Sequence, residues 1–526
     1  MTSPAIQQAL EAAVSLHRAG RLEAAEAAYR AILARAPDDP DALHLLGVLT
    51  AQAGRAAEGV ELIRRALAAR PGNAELHANL ALALRRAGRL DEALGAYRRA
   101  AELAPERAEA WLNLGRACLD RGELEPAAAA LRRALAVRPA YADAEHDLGV
   151  ALTRLGDLQA ALAANRRAIA LDPARVTTVS NLAATLYNLG QIDEAIATAR
   201  RAIVLDPECA DAHLTLGASL LISGRFAEGW PEYEWRWKAL GLPPEPAPNR
   251  PPTWDGSDPA GRRILLASEQ GLGDTIQLVR YAPLVAARGA RVVVCCRPIL
   301  KRLLQTVEGI ERVVADGEPL PPIDLQIPLP SLPRIFGTTL ATVPARVPYL
   351  APDPQVCELW RSRLASRPRA FKVGLVWAGQ PQNRTDRWRS IPLRALAPLA
   401  TVPGVAFYSL QGGDAARQIE DVPWPVIDDN AELRDFAEIA ALVVNLDLVI
   451  SVDTAGAHLA GALGKPVWTL LPRAPDWRWL LEREDSPWYP AMRLFRQTRF
   501  GDWADVVARV AEALAPYARA GCNAKL

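Results

Sequence analysis

The sequence predicts two architectures in series: a superhelix of helical repeats, then an α/β region of two doubly wound parallel sheets. Three observations carry that expectation. Gly20, Gly54, Gly88, Gly122, Gly156, Gly190 and Gly224 recur every 34 residues. Pro37, Pro71, Pro105, Pro139, Pro173 and Pro207 keep the same spacing, 17 residues after each glycine. Beyond residue 260 the pattern changes to short apolar runs separated by turns and amphipathic stretches, the alternation of strand and helix.

The repeats come first. Each unit reads as two short helices with a glycine turn between them and a proline closing the second, because proline cannot continue a helix but can open the next turn. Small residues stand in phase at Ala25, Gly59, Ala93, Ala127, Ala161, Ala195 and Gly229, and again at Ala66, Ala100, Ala134, Ala168 and Ala202. Antiparallel helices approach closely only where side chains are small, and each unit must bury its apolar stripe on a neighbour. His17, His44, His77, His146 and His213 are scattered over this half without metal-ligand spacing.

Composition narrows the function classes. The 526 residues are 50% hydrophobic and 23% charged, as in a core-forming globular protein. The 61 basic residues balance 60 acidic ones for a net charge of +1, leaving no global field for nucleic acid or an anionic membrane. Cys118, Cys209, Cys295, Cys296, Cys357 and Cys522 form no C-x-x-C pair, which argues against zinc and disulfide frameworks and for buried thiols. Met1 to Leu10 lacks the basic start of a signal peptide, and no stretch has the length and apolarity of a membrane span, Asp447 interrupting even Leu442–Val452. The expected location is a reducing cytoplasm.

The repeats resemble the tetratricopeptide repeat family. Trp111, Leu114 and Gly115 carry its signature, with Leu46-Gly47, Leu148-Gly149 and Leu216-Gly217 at equivalent positions. The pattern's tryptophan is replaced by Leu43, His77, Glu145, Val179 and His213 elsewhere. The resemblance covers residues 5 to 238, giving a first domain at 1–240 of about seven repeats. It implies a concave surface that holds an extended peptide or another protein; a purely architectural or dimerising array is the alternative.

Around Gly229 the pattern becomes the aromatic run Trp230 to Trp237, expected to cap the open end of the array, and a Pro-rich linker is placed at 241–260. The α/β region divides at 261–368 and 369–520. In the first part, strands are expected at Arg263–Ala267, Arg291–Cys296, Arg312–Ala315 and Asp324–Ile327. Gly271 to Asp274 reads as a tight turn, followed by a helix Thr275–Ala287 kinked at Pro283 and another at Ile299–Thr306. In the second part, strands are expected at Lys372–Trp377, Val405–Leu410, Leu446–Ser451 and Val467–Leu471, with a helix His458–Leu463. Two such halves form a cleft between the carboxyl ends of two sheets.

Gly271 and Gly273 lack the third glycine of a dinucleotide fingerprint, which disfavours a dehydrogenase. The more specific feature is Asp274 together with Asp453-Thr454-Ala455-Gly456-Ala457-His458. That late segment follows a strand and starts a helix, where free N–H groups favour a diphosphate. His458 is the single histidine after residue 213. Read alone, Asp274 is either a base or an N-cap, Gln411-Gly412-Gly413 a backbone approach to a nucleotide or a plain turn, and Asp476-Trp477-Arg478-Trp479 a sugar-site wall or packing beneath a loop.

From residue 262 to 500 the chain resembles heptosyltransferase-type glycosyltransferases of the GT-B fold, in the branch that bears tetratricopeptide repeats. The matching pieces are Ser268–Asp274, Asp386-Arg387-Trp388-Arg389-Ser390, Asp453–His458, Asp476–Trp479 and Ser486-Pro487-Trp488-Tyr489-Pro490. The resemblance implies an acceptor in the N-terminal half of the cleft, a nucleotide sugar in the C-terminal half, no cofactor beyond that donor and no obligatory metal. The family's catalytic aspartate falls on Asp274. The donor side then comprises Arg389, Ser390, Gln411, Asp453, Thr454, Gly456 and His458, with Gly271, Gly273, Asp476 and Trp477 as other cleft residues. Arg389, or else Arg387 or Arg384, supplies the cation where lipopolysaccharide-type relatives use lysine. The expected activity is inverting transfer of a sugar to a polypeptide docked by the repeats, such as a bacterial surface or flagellar protein. A glycan-extending transferase and a non-catalytic scaffold are the rivals.

Overall fold

The computed structural model describes residues 4–241, 251–367, 369–383 and 385–520. Arg384, the linker prolines Pro243, Pro244, Pro246 and Pro248, and Cys522 lie outside the described residues. The chain divides into two compact units, residues 1–185 and 186–526. Among the described residues no helix is long and apolar enough to cross a membrane.

The first unit is an α-solenoid of tetratricopeptide repeats, from Pro4–Arg18 and Leu22–Arg35 to Ala142–Leu155 and Leu158–Leu171. Gly122 shows why the turn is glycine. Its φ of 76° is left-handed, and its N–H donates to the Leu119 carbonyl at 3.0 Å to close helix Ala108–Arg121. Pro37 and Pro71 stand just beyond helices Leu22–Arg35 and Ala56–Ala69, and Asp39 then caps the next helix by accepting from the Ala42 N–H at 2.9 Å. Close approach explains the small residues: a Cβ on Gly47 would lie 2.6 Å from Ile63 Cγ1 and 3.0 Å from the Gly59 carbonyl oxygen. The interior is a continuous run of alanine and leucine that includes Ala81, Leu84, Ala117, Leu131 and Ala151.

The second unit begins with repeat helices Ile192–Leu205, Ala210–Ile222, Phe226–Tyr233 and Arg236–Ala239. The aromatic run packs on the end of the array, Trp235 stacking on His213 with centroids 4.0 Å apart, and on the α/β region as well. Trp230 is buried and its indole N–H donates to the Thr338 carbonyl at 2.8 Å. Beyond residue 250, Pro252 to Trp254 runs beside the first sheet: the Gln326 N–H donates to Pro252 O at 2.9 Å and the Trp254 N–H to Gln326 O at 2.8 Å.

Two parallel sheets follow, the GT-B arrangement. The first holds β1 (Arg263–Ala267), β2 (Arg291–Cys296), β3 (Ile310–Ala315) and β4 (Leu325–Pro328) in the order β3-β2-β1-β4. The second holds β5 (Phe371–Val376), β6 (Val405–Ser409), β7 (Val426–Ile427), β8 (Leu448–Val452), β9 (Val467–Leu471) and β10 (Met492–Arg496), in the order β10-β9-β8-β5-β6-β7. All named pairings are parallel, with Leu265 opposite Val293 and Leu375 opposite Ile450. Strand order reverses at β1 in one sheet and between β5 and β8 in the other, where crevices open beyond the carboxyl ends. Val506, Val507, Val510 and Leu514 of helix Trp503–Ala520 cover the second sheet with Phe371, Leu375 and Ile450.

Every strand expected from the sequence is present, with shifts of one or two residues at the ends; β7, β10 and helix Trp503–Ala520 were not anticipated. One local expectation is corrected. Gly271 to Asp274 is not a turn ahead of a helix: the helix runs Leu272–Leu278, tightens over 279–281, and restarts as Ala282–Ala287. Pro283 accounts for the break, since its ring removes an N–H and crowds the preceding turn. Among the described cysteines, all free, Cys118 and Cys296 are buried, while Cys209, Cys295 and Cys357 are only partly so.

Candidate active site

The loop after β1 and the loop after β8 both run into helix starts, and those two helices meet. Gly271 caps Leu272–Leu278, and having no side chain it leaves its own N–H to Asp274 Oδ2, which accepts at 2.7 Å. Asp274 is therefore the third residue of the helix and not its N-cap. The second helix is Ala455–Ala462, so Thr454 is its N-cap and His458 lies within it. A Cβ on Gly273 would stand 2.7 Å from His458 Cδ2 and 3.5 Å from Ala455 Cα. Glycine at 273 is what allows the two lobes to touch there.

His458 is buried, stacked on Trp479 with ring centroids 5.2 Å apart, and its Nδ1 shares a 2.9 Å hydrogen bond with the Tyr489 hydroxyl. Burial holds its pKa well below the usual imidazole range, and the charges of Arg478, Arg280 and Arg389 push the same way. It is a neutral ring at physiological pH.

Arg478 is the electrostatic centre. Its buried guanidinium is ion-paired with Asp274 through Nη2, donates from Nη1 to Asp476 Oδ1 at 2.6 Å and from Nε to Gln277 Oε1, and lies 4.4 Å over the Trp477 ring. Burial opposes its charge, but Asp476 and Asp274 more than offset that and hold it protonated. Asp476 also accepts the Arg478 N–H at 3.1 Å, capping the turn Trp477–Trp479. Trp477 is buried, edge-on to Trp230, Tyr233 and Trp488.

Asp453 is 7% exposed, and its pKa is raised to about 6. Burial is the main cause and Asp476 adds to it, while Arg389 and Arg478 pull the other way. Thr454 Oγ1 and Ser451 Oγ are 3.1 Å apart. Gly456 packs on the end of β5, where a Cβ would come within 2.8 Å of Val376 Cγ2.

The remaining candidates gather on the loop after β5. Arg389 Nε donates to Asp386 Oδ1 at 3.3 Å, and Ser390 Oγ accepts from the Gly379 N–H at 2.9 Å. Gln411 Oε1 accepts from the Trp377 and Ala378 N–H groups at 3.0 and 2.9 Å, and its Nε2 donates to Ala378 O and Gly412 O. Its amide is fully engaged in shaping that loop. Arg387 lies beside the Trp388 ring.

The structure thus brings Gly271, Gly273, Asp274, His458, Asp476 and Trp477 together around Arg478, and sets Asp453 and Arg389 within electrostatic reach of that group. Gln411 and Ser390 act on the backbone. Individual roles for Arg478, Gln277, Arg280 and Tyr489 had not been assigned from the sequence. The signal available was the alternation of tryptophan with arginine in Asp476–Trp479, a residue kept buried only when its charge is matched.

Fold and site together define a repeat protein joined to a GT-B region. Family models for the tetratricopeptide repeat match residues 72–140 and residues 10–74, 119–176 and 181–234. The model for Glycosyltransferase family 9 (heptosyltransferase) matches residues 433–480, the stretch that contains Asp453–His458 and Asp476–Trp479. The chain therefore carries tetratricopeptide repeats and, at residues 433–480, a segment similar to family 9 glycosyltransferases. Protein FlbA of Caulobacter vibrioides is 32% identical over 327 residues, 57% of this chain and 54% of that protein, so the chain spans about half the length of this curated relative. Among solved structures, MamA is similar at 25% identity over 31% of this chain and 96% of that one, with a TM-score of 0.30. YrrB, described as a TPR protein with an unusual peptide-binding site, is 24% identical over 36% of this chain and 95% of that one, also at 0.30.

Proposed function

We propose that the protein is an inverting, metal-independent glycosyltransferase that moves a sugar from a nucleotide sugar to a polypeptide docked by its repeats. The observation that carries this reading is the meeting of Asp274 with the Asp453–His458 helix start across Gly273. Transfer needs a base for the acceptor hydroxyl and stabilisation of the departing diphosphate. Asp274, whose side chain is 19% exposed, takes the proton. The N–H groups at the start of helix Ala455–Ala462, with the cation Arg389, receive the phosphates. His458, being neutral, orients the helix start and adds no charge.

The repeats favour a protein acceptor over a glycan because such arrays hold extended chains. A surface or flagellar polypeptide fits that mode. The non-catalytic scaffold has one observation on its side: both Asp274 oxygens are occupied, one by the Gly271 N–H and one by Arg478. Incubating the full chain with a panel of nucleotide sugars, with and without EDTA, separates the two. Donor turnover that survives EDTA is the expected result, and silence across the panel supports the scaffold. A mass spectrum of a co-purified polypeptide then reports sugar and acceptor together, whereas a sugar found only on polysaccharide moves the reading to a glycan-extending enzyme.

A further inference from the structure

The loop that carries Asp274 is anchored from the end of the repeat array. Arg236, in the last short repeat helix, is fully buried. Its Nε donates to the two Glu269 oxygens at 2.9 and 3.2 Å, and its Nη2 donates to Glu269 Oε2 at 2.9 Å and to Ser331 Oγ at 2.7 Å. Its Nη1 donates to Glu234 Oε1 at 2.7 Å. The Glu269 side chain is only 4% exposed, and Glu269 lies five residues before Asp274. The next residue is held from the same side: Gln270 Nε2 donates to the Tyr233 hydroxyl at 3.3 Å. Tyr233 in turn stands edge-on to Trp477, centroids 6.0 Å apart, and Trp477 carries the Arg478 guanidinium that pairs with Asp274. The loop is therefore gripped at Glu269 and at Asp274 by two buried arginines that share one aromatic wall.

We propose that Arg236 is a positioning residue of the transfer site: by clamping Glu269 it fixes Ser268–Asp274 against the facing helix start. The final repeat is then part of the catalytic unit and not only of the docking array. The proposal rests on the reading of Asp274 as base. A docking role alone does not require a fully buried, fork-to-fork arginine on the loop before Asp274. Buried charges are matched this closely only where the geometry is excellent, and their pairing fixes orientation more than it adds stability.

The test uses the full chain and the variants Arg236→Lys, Glu269→Gln, the double variant and Ser331→Ala. Two quantities are read: kcat and KM for the nucleotide sugar turned over, and affinities for UDP, GDP and ADP measured separately, with activity normalised to nucleotide-binding sites. Arg236→Lys and Glu269→Gln are each expected to lower kcat per site about 100-fold, the effect of roughly 1 Å of misplacement at the reacting groups, with donor KM and nucleotide affinity unchanged. The double variant should be no worse than either single one, because both break the same clamp. Ser331→Ala, which takes away one further acceptor of Arg236, should lower kcat per site in the same direction by a smaller factor. Undiminished kcat per site in Arg236→Lys and Glu269→Gln overturns the clamp and leaves Arg236 a fold element. Should Arg236→Lys fail to fold, Glu269→Gln, which keeps shape and acceptor, decides the matter. A wild type that turns over no nucleotide sugar and binds no nucleoside diphosphate overturns the underlying reading together with the clamp, whereas an active wild type with indifferent variants removes the clamp alone.

Discussion

The repeats of residues 4–185 and the last repeat helices of the second unit share a two-helix plan, a glycine turn and exposed ion pairs, but among the described repeat residues only the second buries an arginine fully. In the first unit arginines pair on the surface, as Arg70 does with Asp41 at 2.6 and 3.0 Å, the two side chains 45% and 41% exposed. In the second, Arg236 and Glu269 are 0% and 4% exposed. An exposed pair contributes about 0 to 1 kcal/mol, whereas removing one partner of a buried pair costs about 3 to 5 kcal/mol. The apolar packing differs as well, mainly alanine and leucine with Tyr97 among them in one region, Phe226, Trp230 and Tyr233 against Trp477 and Trp488 in the other. A repeat fixed to the Ser268–Asp274 loop needs directional anchors; one that only stacks on its neighbours needs small ones.

Substitutions sharpen this contrast, the largest effect coming from the aromatic wall. Trp230→Ala removes a buried indole and its bond to Thr338 O, and should destabilise the second unit by about 3 to 5 kcal/mol in denaturant titration. A loss below about 1 kcal/mol contradicts the packing described. Next comes Gly273→Ala, whose Cβ meets the buried His458 ring; donor turnover should fall about 100-fold as the two helix starts separate. A fully active Gly273→Ala protein removes the need for close approach there.

A smaller effect is expected at Asp453. Its folded pKa of about 6 lies above the usual carboxylate range, because of burial first and Asp476 second. The folded state thus holds the proton more tightly than the unfolded one. The stability gained from that proton is fully present below the usual range and is lost as pH rises through about 6. Asp453→Asn should flatten that part of the curve of unfolding free energy against pH; an unchanged curve denies the burial. The smallest effect belongs to the first unit, where Asp41→Asn should cost less than about 1 kcal/mol by thermal unfolding.

Legibility in the sequence follows the range of the interaction. The glycine and proline lattices are local signals, set by a left-handed φ at Gly122 and by chain termination near Pro37 and Pro71, and they place the repeats directly. The strands show as apolar runs because both faces of a parallel sheet are buried; β7, two residues long, carries too little pattern to be seen. The tight turn read at Gly271–Asp274 was misplaced because its acceptor is internal: Asp274, the third residue of the helix, accepts the N–H of the N-cap glycine, and no capping side chain marks the start. Arg236 and Arg478 were invisible as anchors for another reason. Their partners lie 33 and 204 residues away, at Glu269 and Asp274. An arginine in an aromatic run reads equally as surface cap or buried clamp until the fold brings its carboxylate to it.

The most direct measurement is donor turnover by the 526-residue chain carrying Asp274→Asn, taken alongside its nucleoside diphosphate affinity. A fall of about 100- to 10,000-fold with affinity retained is the expected result, since the proton acceptor is lost while the helix start that receives the diphosphate is left in place. Turnover equal to wild type would contradict the assignment of Asp274 and, with it, the catalytic meaning of the contact between Gly273 and His458.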